Sequence, residues 1–199
     1  MPISGVFEDV LAAARAGAPW AFEVLYRDLA PAVTAYLRLH GAVEPDDLAS
    51  ETFIGVLTGL SGFSGDEGAL RAWVFTIAHR RLVDDWRRRS RRPQLADDPG
   101  DALETRVGGD VETDALANLG AEMVLERCNA LPADQRTVLL LRILGDLTVD
   151  QVAQVLGRSV PSVKALQRRG LRTLRERLER ENSLEGTGAG ANPFAAARR

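Results

Sequence analysis

The chain has 199 residues, of which 45% are hydrophobic and 27% are charged, and its formal net charge at pH 7 is only −3. Aromatic residues are sparse and runs of β-branched residues are few, which argues against a large sheet. No apolar run approaches the roughly 20 residues needed for membrane insertion, no signal peptide is recognisable, and the single cysteine, Cys128, excludes an internal disulfide framework and indicates a reducing, cytoplasmic location.

Helical periodicity appears early in the chain. Residues 1–18 carry a short amphipathic pattern that fits either a helix or an N-terminal leader. A longer helical pattern begins at Pro19. A new helix is expected to begin at Pro31, because proline is favoured in the first turn of a helix. Gly41 is expected to end that helix.

Two further helices are predicted before the middle of the chain. The first covers residues 45–60 and begins with a proline and two acids, which suit the positive end of the helix dipole. The second covers residues 69–92 and ends in a run of arginines. Residues 61–68 between them are rich in glycine and serine, so they are predicted to form a loop.

The composition changes after residue 92. Residues 93–118 combine prolines, glycines and acids, which predicts a flexible acidic linker. Helical periodicity resumes at residue 119, and Pro132 opens another helix. The tail 181–199, rich in glycine and alanine, is expected to be disordered.

The predicted fold is therefore all-α, with two small helical domains, 19–92 and 119–180, on either side of the linker. Each domain closes with a basic helix. Residues 71–92 hold eight Arg and two Asp, a net charge of +6, and residues 158–180 hold seven Arg, one Lys and two Glu, again +6. Residues 93–118 hold seven acids and one Arg, a net charge of −6. This distribution predicts two contacts with a polyanion such as nucleic acid.

The second domain contains the pattern of a helix-turn-helix. Thr148 is placed to cap one helix, Gly157 can make the turn, and Ser159 followed by Pro161 can open a second helix. Ala153 is small enough for the two helices to approach, and the apolar Val163 lies at their crossing. The alternative is an ordinary helical hairpin, which does not require the basic second helix seen here.

Nothing in the sequence predicts a catalytic centre. The only histidines, His40 and His79, lie 39 positions apart, and with one cysteine they do not form a metal-ligand pattern. No nucleophile–base pair or phosphate-binding loop is present, so the protein is expected to be no enzyme and to need no metal and no cofactor. His79 is predicted to be a polar surface residue.

Four stretches, in this order and spacing, resemble the extracytoplasmic-function (ECF) subfamily of bacterial RNA polymerase sigma factors. They cover residues 22–37, 46–57, 70–92 and 131–178, and the last contains the helix-turn-helix pattern. The resemblance implies a sigma factor of the short type, with domains two and four only. It also implies that core RNA polymerase, promoter DNA and an anti-sigma factor are partners.

The resemblance places the polymerase contact on the helix at 45–60. In this family the corresponding segment packs on a coiled coil of the largest subunit, while domain four meets the flap of the polymerase. For Phe53 the alternative is a place in the core, and for the acids a solvated helix face. The predicted polymerase-binding residues are Asp46, Asp47, Glu51, Phe53 and Ile54.

The same resemblance maps recognition of the −10 element to residues 62–67 and the basic helix that follows. A base of the non-template strand must leave the stack to be read, and arginines can hold the neighbouring phosphates. Trp73 could either stack on a base of the DNA or pack in the core, and its i, i+4 spacing from Ile77 favours the core. The predicted −10 residues are Phe63, Ser64, Gly65, Asp66, Trp73, Arg80, Arg81, Arg87 and Arg88.

The second helix of the helix-turn-helix would enter the major groove of the −35 element. The family often has an arginine at the position of Leu166 and a leucine at that of Gln167. Leu166 is instead in register with Val163 and Gly170, which predicts that it faces inward. An asparagine is frequent in the family at the position of Arg80. The predicted −35 residues are Ser159, Ser162, Lys164, Ala165, Arg168 and Arg169.

The predicted function is promoter-specific transcription initiation, in which the protein binds core polymerase, recognises both elements and helps to melt the DNA. One alternative is a stand-alone helix-turn-helix regulator, which leaves the basic helix of the first domain unexplained. Another is an interaction protein with solvated basic faces. The acidic linker has two possible roles: it could occupy the positively charged RNA channel of the polymerase, or it could simply keep the protein soluble.

Overall fold

A computed structural model describes residues 6–91 and 127–188, with side chains up to residue 180. All regular structure in these ranges is helical, as predicted. The helices are α1 Phe7–Arg15, α2 Pro19–Leu39, α3 Pro45–Gly59, a 3₁₀ turn Leu60–Gly62, α4 Glu67–Arg91, α5 Ala133–Ile143, α6 Val149–Leu156 and α7 Val160–Gly188.

The first helix belongs to the folded domain. Phe7, Val10, Leu11 and Ala14 are buried on one face of α1, which packs on α2. The structure therefore favours the helix over the leader, and the first domain begins well before the predicted residue 19. A nine-residue helix is too short to be stable alone, so the burial of these four apolar side chains against α2 is what stabilises α1.

The predicted break at Pro31 is wrong, because α2 runs through it. An interior proline lacks the N–H of an i→i−4 hydrogen bond and costs about 3 kcal/mol. Burial of a continuous face outweighs that cost, since Leu25 and Leu29 before the proline and Val33 and Leu37 after it are at most 2% exposed. Pro31 itself is exposed to solvent.

The helix-turn-helix forms as predicted. The Thr148 side chain accepts from the Gln151 N–H, and the Gln151 side chain accepts from the Thr148 N–H, which completes a capping box. Gly157 adopts the left-handed conformation with φ 59° and ψ 34° and ends α6. Ala153 and Val163 are both buried at the crossing of α6 and α7.

We expect Gly157→Ala to destabilise the second domain by about 1–2 kcal/mol, the cost of a left-handed conformation for a residue with a Cβ. No described heavy atom lies within 4 Å of the position a Cβ would take, so steric clash contributes nothing. Urea denaturation followed by circular dichroism measures the change. An unchanged midpoint would show that the turn can rearrange around the new side chain.

The predicted inward face of α7 is confirmed. Val163 is 0% and Leu166 is 6% exposed, and they pack with α5 and α6. A Cβ on Gly170 would lie 2.9 Å from Leu139 Cδ1, so this glycine lets α7 approach α5 closely. The rotation of α7 is thereby fixed, with its opposite face turned to solvent.

The boundaries of α7 and of the tail differ from the prediction. The backbone of α7 continues as helix to Gly188, so the expected disorder is wrong for residues 181–188. Residues 181–185 contain neither glycine nor proline, so nothing in them stops the propagation of a long helix past residue 180. The predicted acidic linker at 93–118 and the rest of the tail lie outside the described residues.

Candidate polymerase and nucleic-acid interface

The outer face of α3 presents acids beside apolar side chains. Asp46 and Asp47 are exposed at its first turn. Glu51 is half-buried, and its carboxylate lies 3.6 Å from a guanidinium nitrogen of Arg81 on α4. Ile54 follows at helical spacing and is 64% exposed. The structure thus brings four of the five predicted polymerase-binding residues to one surface.

Phe53 is the exception. It is only 3% exposed, and its ring lies edge-on to that of Tyr26 on α2, with the ring centres 4.7 Å apart. Its assignment as a surface contact is therefore corrected: Phe53 holds α3 against α2. Leu57, which the sequence reasoning missed, is 54% exposed and lies one turn from Ile54, so it extends the apolar strip. The i, i+3 spacing of Ile54 and Leu57 could have predicted that both lie on the same face of α3.

The segment before α4 folds back over an aromatic pair. Phe63 and Trp73 are both half-buried and stack with ring centres 5.1 Å apart at an interplanar angle of 20°. A Cβ on Gly65 would lie 3.1 Å from Phe63, and one on Gly59 would lie 2.8 Å from Trp73. Two glycines therefore make room for the stack, and Phe63 already occupies one face of Trp73.

Asp66 has a structural task at this point. Its carboxylate accepts from the Ala69 N–H at 2.7 Å, so it caps α4, which begins two residues earlier than predicted. Ser64 and Gly65 are exposed at the tip of the segment. The predicted −10 residues Phe63, Ser64, Gly65, Asp66 and Trp73 thus lie close together. Within this group, however, the two aromatic rings stack on each other and the Asp66 carboxylate caps α4.

An ion-pair network that sequence reasoning missed fixes the start of α4. The Arg71 guanidinium donates to Asp28 on α2 at 2.7 Å and to Glu67 at 3.1 Å. All three side chains are at most 26% exposed, so the network is shielded from solvent. Arg71 lies within the predicted basic helix, but only the tertiary structure brings Asp28 beside it.

The four predicted phosphate-binding arginines are all exposed on the second half of α4. Arg81 pairs with Glu51, Arg87 lies 3.5 Å from Asp84, and Arg88 lies 3.8 Å from Asp85. The Arg81–Glu51 and Arg87–Asp84 pairs are open to solvent and contribute little to stability, so these two guanidinium groups can exchange carboxylate for phosphate at small cost. Arg80, with the others, makes this a basic face.

Five of the predicted −35 residues lie in the first three turns of α7, and Ser159 directly precedes the helix. Ser159, Lys164, Arg168 and Arg169 are exposed, whereas Ser162 and Ala165 are half-buried. A shallow groove along the helix includes four residues that sequence reasoning did not select, although they follow Lys164 and Arg168 at helical spacing. The groove is lined by Lys164, Gln167, Arg168, Leu171, Arg172 and Arg175.

The interpretation of His79 as a surface residue is wrong. It is half-buried, and its Nδ1 lies 2.8 Å from the hydroxyl oxygen of the buried Tyr36. Burial lowers the pKa of His79 and raises that of Tyr36 far above its ordinary value. Burial also lowers the pKa of His40 to about 4. All three groups therefore stay neutral at pH 7 inside the molecule.

Among the residues that the structure describes, no group of three or more His, Cys, Asp or Glu is arranged to hold a metal ion. None of the helices in these ranges combines the length and apolarity needed to cross a membrane.

Two family models match the chain in the order of its two domains. Residues 25–92 match Sigma-70 region 2, and residues 121–174 match Sigma-70 region 4. Together the matches span more than half of the sequence. The chain belongs to the sigma-70 factors, and the relatives described next place it among the ECF RNA polymerase sigma factors. Sigma factors are non-enzymatic subunits that direct promoter-specific transcription initiation, which agrees with the function predicted from the sequence.

Individual relatives are similar over much of this sigma factor. The ECF RNA polymerase sigma factor BldN of Streptomyces coelicolor is 31% identical over 169 residues, which cover 83% of this chain and 63% of that protein. ShbA of Streptomyces griseus subsp. griseus is 32% identical over 132 residues, covering 65% of this chain and 69% of that protein. The chain thus spans just under two thirds of BldN.

A solved structure supports the fold of this sigma factor. The structure of CnrH in complex with the cytosolic domain of CnrY superposes with a TM-score of 0.59 at 24% identity, covering 87% of this chain and 97% of that one. In the sigma factor described here, α1 lies outside the matched region 2 and still packs on it.

Proposed function

We propose that this sigma factor holds core RNA polymerase through α3 and recognises the −10 and −35 elements through two separate basic faces. The observation that carries the proposal is the placement of those faces. One lies on the second half of α4 and the other on the outer side of α7, in different domains and both open to solvent. A regulator that reads one operator half-site needs only the second.

The polymerase contact is proposed on the strip formed by Asp47, Glu51, Ile54 and Leu57. Large exposed aliphatic side chains flanked by acids are unusual on a solvated helix, and together they fit a partner surface with an apolar centre and a basic rim. In the family that partner is the coiled coil of the largest subunit. The flap of the polymerase is proposed as the partner of the second domain.

The −10 contact is proposed at residues 63–66 with the arginines of α4. Ser64 and Gly65 are exposed at the tip, and the Phe63–Trp73 stack beneath them supplies a firm apolar base for an unstacked nucleotide. Arg80, Arg87 and Arg88 would then hold the phosphates of the displaced strand.

The −35 contact is proposed on α7, with its N-terminal side chains in the major groove. Lys164 and Arg168 are exposed one turn apart and can reach guanine edges or phosphates, while Arg172 and Arg175 continue the basic face. The family often has an arginine at the position of Leu166, and the buried leucine here has no polar group to offer DNA. We therefore propose a different −35 preference from that of relatives with the arginine.

An anti-sigma factor is proposed as the regulatory partner. CnrH is bound to the cytosolic domain of CnrY in the solved structure, and the exposed apolar strip of α3 here offers a surface for a partner of that kind. The protein would act in the cytoplasm, where the polymerase is found.

In vitro transcription tests the proposal. Purified protein is added to core polymerase and a library of promoter fragments from the host genome, and transcript starts are mapped. Starts that share a −10 and a −35 motif are expected. Binding to duplex DNA alone without any promoter-specific start would favour the stand-alone regulator. Binding to neither DNA nor polymerase would favour the interaction protein.

A further inference from the structure

The segment proposed to contact the −10 element, residues 63–66, makes few buried contacts of its own. Ser64, Gly65 and Asp66 are exposed to solvent. Phe63 is half-buried through its stack on Trp73. A short segment with so little buried surface has low local stability, so its conformation depends on the elements that hold its two ends.

The N-terminal end of the segment is held by the first helix. Helix α1 packs on the 3₁₀ turn Leu60–Gly62, and Leu60 in that turn is 1% exposed. The Phe63 N–H then donates to the Leu60 carbonyl at 3.1 Å. The segment therefore begins at a buried turn whose position α1 secures.

The C-terminal end of the segment is held by the ion-pair network of Asp28, Arg71 and Glu67. Glu67 is the first residue of α4 and directly follows the segment. Glu67 and Arg71 lie one turn apart on that helix, so their bond by itself does not connect α4 to another helix. Asp28 lies on α2, and its 2.7 Å hydrogen bond from Arg71 supplies the connection. Loss of the Asp28 carboxylate would leave the network local to α4.

The network does not itself present a positive charge to DNA. The Arg71 guanidinium donates to both carboxylates, so one positive and two negative formal charges lie together. Such a group does not attract a phosphate, and the low exposure of its side chains keeps it away from the bases. Any effect of the network on promoter recognition must therefore act through the position of residues 63–66.

We propose that Asp28 and Arg71 are positioning residues for −10 recognition, which hold the first turn of α4, and with it residues 63–66, in the conformation that reads the unstacked base. The inference rests on the −10 contact of the proposed function. The base contact needs this conformation, whereas the arginine–phosphate contacts on the second half of α4 do not. Loosening the network should therefore reduce discrimination between −10 sequences and leave sequence-independent binding unchanged.

Asp28→Ala tests the proposal, because alanine preserves the helix α2 and Arg71 keeps Glu67 as its partner. If residues 63–66 then hold the base-reading conformation between about 10 and 30% of the time, affinity for a matched −10 sequence falls about three- to tenfold. The probes are labelled single-stranded oligonucleotides that carry the −10 sequence of mapped starts, or that sequence with one base replaced. They are titrated with polymerase holoenzyme at one salt concentration. Affinity for the replaced oligonucleotides should stay the same.

Two other variants of α2 serve as controls. Glu23→Ala removes the partner of Arg27 from an exposed ion pair of 2.6 Å within α2, so it deletes the same charge without loosening α4 and should leave discrimination unchanged. Asp28→Glu keeps a carboxylate that can reach Arg71 and should restore most of the discrimination. Affinity of Asp28→Ala for core polymerase is measured in parallel and should equal that of the wild type. Equal losses of affinity for core polymerase and for the matched oligonucleotide would indicate general destabilisation and would overturn the positioning role.

Hydrogen exchange measures the positioning without DNA or polymerase. Amides from Phe63 to Leu70 should exchange faster in Asp28→Ala, while those of the buried residues Phe75 and Leu82 farther along α4 should not. Unchanged exchange in the segment, or faster exchange with full −10 discrimination, would overturn the proposal. A wild-type protein that showed no preference among the −10 oligonucleotides would instead contradict the proposed function, whatever the exchange result.

Discussion

Replacing both Arg168 and Arg169 with alanine is expected to weaken binding to the −35 element by about 1–3 kcal/mol for each arginine that reads a base, or about five- to 150-fold. Both side chains are exposed, and Arg168 lies on the face of α7 opposite Leu166, so their removal leaves the buried contacts of Val163 and Leu166 in place. An arginine that instead binds a phosphate should, when replaced, reduce the salt dependence of binding by about one unit of slope.

The measurement is a fluorescence anisotropy titration of polymerase holoenzyme against promoter DNA at several salt concentrations. A matched control replaces Arg15 and Arg27, two exposed arginines of the first domain that lie outside the proposed faces. The control removes the same charge and should bind normally. Equal affinity for the Arg168, Arg169 variant and the wild type would show that α7 does not read the −35 element.

Replacing Ile54 with aspartate is expected to weaken binding to core polymerase by at least about 2 kcal/mol, or about thirtyfold, as for a residue at the centre of an interface. The side chain is 64% exposed in the free protein, so the substitution costs little folding stability. In the complex, however, an aspartate would lose its hydration opposite an apolar surface. Leu57→Asp should act in the same direction.

Val43→Asp is the control for this substitution. Val43 is 65% exposed, almost the same fraction as Ile54, and it lies before α3 and outside the strip. Binding is measured by competition with another sigma factor for core polymerase, and thermal unfolding verifies that each variant is folded. If Val43→Asp and Ile54→Asp weakened binding equally, a general effect of added charge would explain both, and the strip would lose its proposed role.

Local features were predictable wherever neighbouring residues decide the structure. The capping box at Thr148, the left-handed Gly157 and the inward register of Leu166 depend on residues within a few positions of each other. The basic faces were also visible, because charge clusters persist whatever the packing. Pro31 shows the limit of such rules, since burial on both sides of the proline outweighs the local preference for a break.

Residues whose role depends on distant partners could not be predicted in the same way. Phe53 and Ile54 are adjacent apolar residues of one helix, and only the position of Tyr26 on α2 decides which of them is buried. Arg71 reads as one more basic residue until Asp28 lies 2.7 Å away. His79 has a polar side chain, and its burial follows from the packing of Tyr36 against α4.

By itself, the sequence determined the all-α fold, the helix-turn-helix, the two basic helices and the resemblance to the ECF sigma factors. These depend on periodicity, capping and charge along the chain, which no packing can alter. Only the tertiary structure decided which face of α3 meets solvent, how residues 63–66 cover Trp73, and that the two domains dock through His40 and Thr137. The reason is that burial and long-range hydrogen bonds depend on packing: His40 and Thr137, for example, are 97 positions apart in the sequence and meet only in the folded molecule.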